Sequence, residues 1–292
     1  MATLREIRRR ITGVKNTQKI TKAMKMVAAA RLRRAQEAII STRPYARKLG
    51  ELLRHLVMKV DVNLHPLLIG REAKNVLLIV VTADRGLCGS FNSNIIKAAV
   101  QHYRAQSGLN VKLLTIGRKG SDFFGKRNYD VVGKHLGFFQ SLDFSQARGI
   151  VQEVREGYLS GRFDKVEIIY NEFKSVIRQR IVLEQLLPIP PEEIQPTKDL
   201  RALAQVDYIY EPSCQELVNA LVPRHLNFQV WRILLESNAA EQGARMSAMD
   251  NATENARELI RDLTLKFNNA RQAAITKELL EIVSGAEALK AS

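Results

Sequence analysis

The sequence predicts an α/β protein: a long antiparallel coiled coil of the N- and C-terminal helices plus a central Rossmann-like α/β domain. Near both ends of the chain, apolar residues recur at steps of three and four, as in the seam of paired helices. Between the ends, short β-branched runs alternate with helical patterns, which is typical of a mainly parallel layered sheet. We therefore expect an N-terminal helix in residues 1–58, a central domain with its exit linker in 59–208 and a C-terminal helix in 209–292.

The C-terminal stretch from about His225 to Ala286 is predicted to be one helix, because no proline follows Pro223. At 1.5 Å per residue it would be roughly 90 Å long, too long to bury its apolar stripe against itself, so it needs a partner. A capping box at Ser213 to Glu216 predicts where the chain returns to helix, and Pro223 is expected to break or kink that first part. The predicted seam consists of Ala256, Leu259, Leu263, Phe267, Ala270 and Ala274.

The N-terminal stretch from Thr3 to Val57 is predicted to be the partner helix, kinked or restarted at Pro44. Its seam is expected to change phase once along the helix. The predicted seam residues are Leu4, Ile7, Ile11 and Val14, then Ile20, Met24 and Val27, then Ala28, Leu32, Ala35 and Ile39.

The central segment is predicted to contain five strands and three helices, with the last two strands forming a hairpin at an antiparallel edge of the sheet. The strands are predicted at Asn75–Val81, Val111–Ile116, Tyr129–Val132, Lys165–Tyr170 and Val176–Leu187, and the helices at 92–106, 120–126 and 144–159.

The charge is concentrated at one end of the 292-residue chain, whose formal net charge is +15. Residues 1–58 carry fifteen Lys and Arg against three Glu, whereas residues 209–292 carry nine basic and eleven acidic residues. A basic arm of this kind favours a polyanion or an acidic protein surface as its partner. Nucleic-acid binding is the strongest rival on composition alone, but the arm has few aromatic residues and a helix-pairing seam, so we expect no specific nucleic acid partner.

The turn from Asp84 to Asn92 is the one candidate nucleotide site, because it joins the first strand to its helix. It lacks the lysine of a P-loop and the GxGxxG pattern, and its glycines have a sufficient structural reason in a tight turn. The histidines are scattered, without HExxH, and no GxSxG occurs. We therefore predict no catalytic residue, cofactor or metal, and the two separate cysteines indicate a reducing compartment.

Two terminal segments then identify a family. Residues 8–43 begin Arg-Arg-Arg-Ile-Thr-Gly-Val-Lys-Asn-Thr-Gln-Lys-Ile-Thr-Lys-Ala-Met-Lys-Met-Val, and residues 244–285 include Ala-Arg-Met-Ser-Ala-Met-Asp-Asn-Ala and Asn-Asn-Ala-Arg-Gln-Ala-Ala-Ile-Thr-Lys-Glu-Leu. Both resemble the signatures of the ATP synthase γ subunit, and the segments 82–92 and 207–212 match it as well. The resemblance covers the whole chain.

The resemblance implies a non-catalytic rotor shaft. In the family, the paired helices lie inside a ring of three α and three β subunits, and the α/β domain binds ε and the membrane-embedded c-ring. Residues expected by resemblance to contact the α/β ring are Met24, Lys25, Arg31, Arg33, Arg34, Arg245, Arg271, Gln272 and Thr276. Those expected to meet ε and the c-ring are Tyr208, Tyr210 and Glu211.

The differences from plastid members imply a location. Plastid chains carry an inserted segment with a redox cysteine pair, whereas residues 188–212 here are short and have no cysteine. The resemblance starts at residue 1, so no transit peptide is expected. A peripheral position on the cytoplasmic face of a bacterial plasma membrane, reached through the complex only, fits best.

Overall fold

The computed structural model describes residues 3–57, 65–190, 211 and 213–290, with side chains described up to residue 284. The helices are α1 (Leu4–Val57), α2 (Phe91–Ala105), α3 (Arg118–Gly125), α4 (Phe144–Leu159) and α5 (Cys214–Lys290). The strands are β1 (Asn75–Val81), β2 (Asn110–Ile116), β3 (Val131–His135), β4 (Lys165–Phe173) and β5 (Gln179–Leu187), and a short 3₁₀ helix covers Phe138–Gln140.

Both long helices continue through their prolines. Pro44 lies inside α1 and Pro223 inside α5. Of the break or kink expected at Pro223, the break is therefore wrong and the kink stays a prediction. The neighbours of Pro223 explain the continuity: Val222 and Leu226 are fully buried, and packing outweighs the roughly 3 kcal/mol that an internal proline costs. At the start of α5 the Ser213 hydroxyl accepts a hydrogen bond from the Glu216 N–H at 3.2 Å, as half of the predicted capping box requires.

The sheet has the order β3-β2-β1-β4-β5, with the first four strands parallel and β5 antiparallel to β4. This confirms the expected mainly parallel sheet with an antiparallel edge. Strand β3 begins two residues later than predicted and extends to His135. It lies at an edge and alternates half-buried with exposed residues, which makes its sequence signal weak.

Strand β1 supplies both cores of the domain, because its side chains alternate between the faces of the sheet. Leu77, Ile79 and Val81 belong to a cluster that includes residues of α1, α4 and α5. Val76, Leu78 and Val80 belong to a second cluster with α2, α3 and β2. A strand covered on both faces is therefore apolar throughout, as the run Asn75–Val81 indicated.

A charged cluster attaches α5 to the β4–β5 hairpin. The Arg232 guanidinium lies 2.6 Å from a Glu184 carboxylate oxygen and donates to the Tyr170 hydroxyl at 3.2 Å. Burial opposes the charged form of Arg232, but Glu184 and Tyr170 outweigh that effect and raise its pKa. Burial also raises the pKa of the Tyr170 phenol, so this phenol stays protonated and donates to Glu184 at 3.0 Å.

The chain divides into two compact units. Residues 1–27 and 246–292 form the first, which we call the tip unit, and residues 28–245 form the second, which we call the body unit. The three-segment division expected from the sequence has its boundaries at residues 58 and 208, outside the described residues, and stays a prediction.

Candidate partner-binding faces of the paired helices

In the tip unit α1 and α5 run antiparallel. Three contacts establish the direction, because the residue number falls along α5 as it rises along α1. The Arg8 guanidinium lies over the Phe267 ring at 5.5 Å, the Thr21 and Thr253 hydroxyls are 2.8 Å apart, and Lys25 Nζ lies 2.6 Å from Asp250 Oδ1. The antiparallel helix pairing predicted from the two seams is therefore confirmed.

The seam itself differs from the predicted one at its centre. Ile20 and Val27 are exposed, at 60% and 53%, so the expected change of phase in α1 is wrong. The seam keeps one heptad register by using polar residues. Its positions in this unit are all buried or half-buried: Leu4, Ile7, Ile11, Val14, Gln18, Thr21 and Lys25. The predicted seam residue Met24 is half-buried beside them.

The facing side of α5 needs the same kind of correction. Leu259 is 47% exposed and the half-buried Ile260 takes its place, which gives regular steps of four and three. The seam positions, all buried or half-buried, are Met249, Thr253, Ala256, Ile260, Leu263, Phe267, Ala270 and Ala274. Apolarity alone selected the wrong neighbour, whereas strict heptad spacing would have found Ile260.

Polar side chains at the centre of the seam contact each other across it. The buried Thr253 hydroxyl contacts both the Thr21 hydroxyl and the Met249 carbonyl, the latter at 2.7 Å. One turn away, the half-buried Lys25 places its ammonium on Asp250, while its aliphatic stem covers the seam. A polar layer of this kind is satisfied in one alignment of the helices and thus specifies register.

The residues predicted to contact β at the end of α5 are all on its exposed surface. Arg271, Gln272 and Thr276 are exposed, while Ala270 and Ala274 beside them are half-buried. The hydrogen-bond donors of these three residues are therefore available to a partner. Met24, another predicted contact to the ring, lies on α1 of the same unit and is half-buried.

The predicted basic contacts in the body unit fall into two groups. Arg31, Arg33 and Arg34 are exposed on α1, and of these Arg33 pairs with Glu37 at 3.0 Å. Arg245 is largely enclosed instead: its side chain is 11% exposed, pairs with Glu241 and donates to the Gly86 carbonyl at 2.6 Å. The structure thus gives Arg245 a contact within the chain that the sequence did not indicate.

The predicted contacts to ε and the c-ring are only partly described. Glu211 is exposed. Tyr208 and Tyr210 lie outside the described residues.

The turn after β1 uses its polar groups within the protein. The Asp84 carboxylate accepts hydrogen bonds from the N–H groups of Arg118, Gly137 and Phe139, where a phosphate of a nucleotide would need donors. In the neighbouring turn after β2, a Cβ at Gly117, whose φ is +91°, would collide with the Thr82 carbonyl, so the two turns pack closely against each other. These contacts support a structural role for the turn.

The described residues offer little for other chemistry. They contain no group of three or more His, Cys, Asp or Glu placed to hold a metal ion. Within the same residues, no helix is both long and apolar enough to cross a membrane. Burial raises the pKa of the Cys88 thiol, which disfavours its reactive thiolate.

Comparison with known proteins identifies the chain. The ATP synthase family profile matches residues 3–289. The chain belongs to the ATP synthase γ-chain family. Among its relatives, the γ chain of Chloroherpeton thalassium is 56% identical over 303 residues and that of Salinibacter ruber 52% over 307 residues, each alignment covering 100% of both chains. The γ chain of Chlorobium phaeobacteroides is 57% identical over 296 residues, covering 99% of this chain.

Solved structures of the family share the fold. A chain in the central stalk and c-ring structure of the Tetrahymena thermophila mitochondrial ATP synthase matches with a TM-score of 0.60 and 29% identity, over 80% of this chain and 99% of that one. A chain of the Euglena gracilis mitochondrial enzyme matches with a TM-score of 0.69 over 99% of this chain and 95% of that one. Its identity of 21% supports similarity of fold alone.

Proposed function

We propose that this chain is the central rotor shaft of an F-type ATP synthase. It transmits torque between the proton-driven c-ring and the catalytic β subunits, so that ion flow is coupled to ATP synthesis or hydrolysis. The observation that carries the proposal is the match to ATP synthase γ chains over 100% of both sequences. The antiparallel helix pair supports it, because two mutually packed helices resist twisting better than one.

In this proposal the hexameric ring of α and β encloses the paired helices, and ε and the c-ring bind the central domain. Met24, Lys25, Arg31, Arg33, Arg34, Arg245, Arg271, Gln272 and Thr276 are the proposed contacts to the ring. Tyr208, Tyr210 and Glu211 are the proposed contacts to ε and the c-ring. The shaft is asymmetric, so identical β subunits meet different side chains at each angle, and this difference is what shifts their conformations.

The chemistry belongs to β, and this chain supplies no catalytic group. It lies on the cytoplasmic face of a bacterial plasma membrane and reaches the membrane through the complex only. Residues 1–58 and 209–292 act as the shaft, and residues 59–208 connect it to the rotor base.

Reconstitution with α, β and ε tests the shaft role at the end of α5. We expect Arg271→Ala and Gln272→Ala to assemble normally and to lower steady-state ATP hydrolysis, because each loses a donor worth about 1.5–3 kcal/mol when it meets a charged partner. The matched control is Arg261→Ala, also exposed on α5 but outside the predicted contacts. Ala270→Asp places a charge in the seam and should impair assembly.

Two results would contradict the proposal. Wild-type turnover in both variants would mean that these residues only solvate an exposed helix face. ATP hydrolysis by the purified chain alone would mean that it carries an active site of its own.

A further inference from the structure

The body unit contains two adjoining clefts that the proposed contacts do not use. The first has a volume of about 300 Å³, and its polar lining residues are Ser145, Arg148, Gln152, Arg155 and Asn227. The Gln152 amide donates to the Glu156 carboxylate at 3.0 Å. The second has a volume of about 580 Å³. It shares Arg148 and Asn227 with the first and adds Tyr45, Phe144, Arg224 and Phe228.

The charge of these clefts is one-sided. Neither is lined by a carboxylate, and among the described residues none forms an ion pair with Arg148, Arg155 or Arg224. The Arg155 Nε is buried and has no hydrogen-bond partner. A guanidinium without a carboxylate partner favours a carboxylate ligand, which can accept two parallel hydrogen bonds.

Gly149 keeps the first cleft open. It lies inside α4, where glycine destabilises a helix relative to alanine, and a Cβ added there would meet no atom within 4 Å. Packing therefore does not require glycine at this position. The missing side chain leaves free volume beside the arginines.

The second cleft presents aromatic rings. The Tyr45 and Phe228 ring centroids are 4.4 Å apart, and those of Phe144 and Phe228 are 5.0 Å apart. Tyr45 is 49% exposed. Aromatic and arginine side chains together are the composition of protein-binding hot spots.

We propose that the two clefts form a docking groove for an acidic segment of a partner polypeptide. A carboxylate of the segment binds Arg148 and Arg155, and an adjacent apolar side chain covers the Tyr45–Phe228 pair. The donors are side chains distributed over α4 and α5 rather than backbone N–H groups converging on one point. They therefore suit carboxylates spaced along a segment better than a single phosphate. None of the groove residues belongs to the proposed ring, ε or c-ring contacts, so the inference goes beyond the rotary function.

Fluorescence anisotropy with the full chain tests the groove. The probe is a fluorescein-labelled peptide of Glu-Glu-Leu repeats, compared with Gln-Gln-Leu and Glu-Glu-Ser repeats of the same length. We expect the first peptide to bind at physiological salt and each of the other two to bind about tenfold more weakly or worse. Arg148→Gln combined with Arg224→Gln should weaken binding about tenfold, and Gly149→Leu, which fills the first cleft, should abolish it.

The matched control is Lys97→Gln combined with Arg104→Gln, which removes two exposed charges from α2 of the same unit. It should bind within about twofold of the wild type, because long-range attraction alone is screened at this salt. The unfolding temperature of each variant is measured as a check on folding. That of Gly149→Leu should stay at or above the wild-type value, since leucine favours helix relative to glycine.

Several outcomes would overturn the proposal. They are failure of the wild-type chain to bind the Glu-Glu-Leu peptide, equal binding of the Gln-Gln-Leu peptide, and an equal loss in the α2 control. Displacement of the peptide by inorganic phosphate would assign the donors to a small anion instead. Binding to phosphatidylglycerol vesicles through the same arginines, in place of the peptide, would assign them to a membrane surface.

Discussion

Helices α1 and α5 contribute to both compact units, yet the two units stabilise them differently. In the body unit their buried faces are mainly apolar, with Leu32, Leu53, Leu226 and Ile233 at 5% exposure or less, and most of these belong to the core beneath the sheet. Helix α5 also buries polar residues there, namely Gln229, Ser237, Glu241 and Gln242. In the tip unit the seam is narrow and polar at its centre. Broad apolar burial supplies stability, whereas a polar layer supplies register at some cost in stability.

The largest expected effect tests the stability half of this comparison. Ile233→Ala in the body unit should lower the free energy of unfolding by about 2–5 kcal/mol, because Ile233 is fully buried and its removal leaves a cavity. Ile275→Ala on the same helix in the tip unit should change it by less than about 0.5 kcal/mol, since Ile275 is 49% exposed. Urea unfolding followed by circular dichroism measures both. Equal losses of unfolding free energy in the two variants would mean that side-chain exposure does not predict which of the two units is more sensitive to truncation.

A second test concerns Glu167, a charged group buried in the body unit. Burial favours the neutral form of Glu167, but hydrogen bonds from Lys165, His102 and Gln106 outweigh it and lower its pKa below the ordinary value of 4.5. A lowered folded-state pKa means that the carboxylate stabilises the fold above pH 4.5 and loses this contribution as pH falls through the lowered value.

We therefore expect Glu167→Gln to cost about 1–3 kcal/mol at neutral pH, since it leaves half-buried donors with a poorer acceptor. The cost should shrink progressively as pH falls below 4.5. Unfolding curves at stepped pH measure it, and Glu153→Gln, on a carboxylate that is 42% exposed and pairs with His135, is the control. A cost that is independent of pH would show that packing rather than charge is responsible.

The sequence predicted most of the body unit, and the reason is physical. Strand β1 and helix α4 were predicted with their observed bounds, because continuous burial requires an unbroken apolar or regularly periodic pattern. The bounds of edge strand β3 were predicted wrongly because alternate residues of this strand are exposed and need not be apolar. Pro223 was predicted to break or kink the helix, and tertiary packing keeps that helix continuous.

The tip unit was less predictable, because its seam does not follow apolarity. Ile20 and Val27 are apolar yet exposed, whereas Thr21 is buried and satisfied by Thr253. The Thr21 hydroxyl donates to the Gln18 carbonyl within α1 and accepts a hydrogen bond from Thr253 of the partner helix, and no pattern within α1 indicates that second contact. The outward arginines were recognisable from a family signature, whereas the Arg148 and Arg155 groove depends on side chains that α4 and α5 bring together.

The register half of the comparison can be tested at the polar layer. Replacing Thr21 and Thr253 together by valine removes both hydroxyls and keeps their shape, so stability should change by less than about 1 kcal/mol or increase. Register should become less defined, because an apolar seam fits more than one alignment. Spin labels at Lys15→Cys and Arg261→Cys, with both native cysteines replaced, report it through the width of their distance distribution. An unchanged narrow distribution would mean that the apolar seam alone fixes the alignment.

The smallest expected effect is that of the neighbouring ion pair. Lys25 and Asp250 have side chains 35% and 58% exposed, so water screens their attraction. Removing the pair by Lys25→Met with Asp250→Asn should change the free energy of unfolding by about 0–1 kcal/mol. A double-mutant cycle in low and high salt measures the coupling, which should fall as salt rises. The Arg33 and Glu37 pair, more exposed at 83% and 62%, is the matched control within a single helix. A salt-insensitive coupling well above 1 kcal/mol would mean that Lys25 fixes the helix pair as strongly as the threonine layer does, and the polar centre would then contribute stability as well as register.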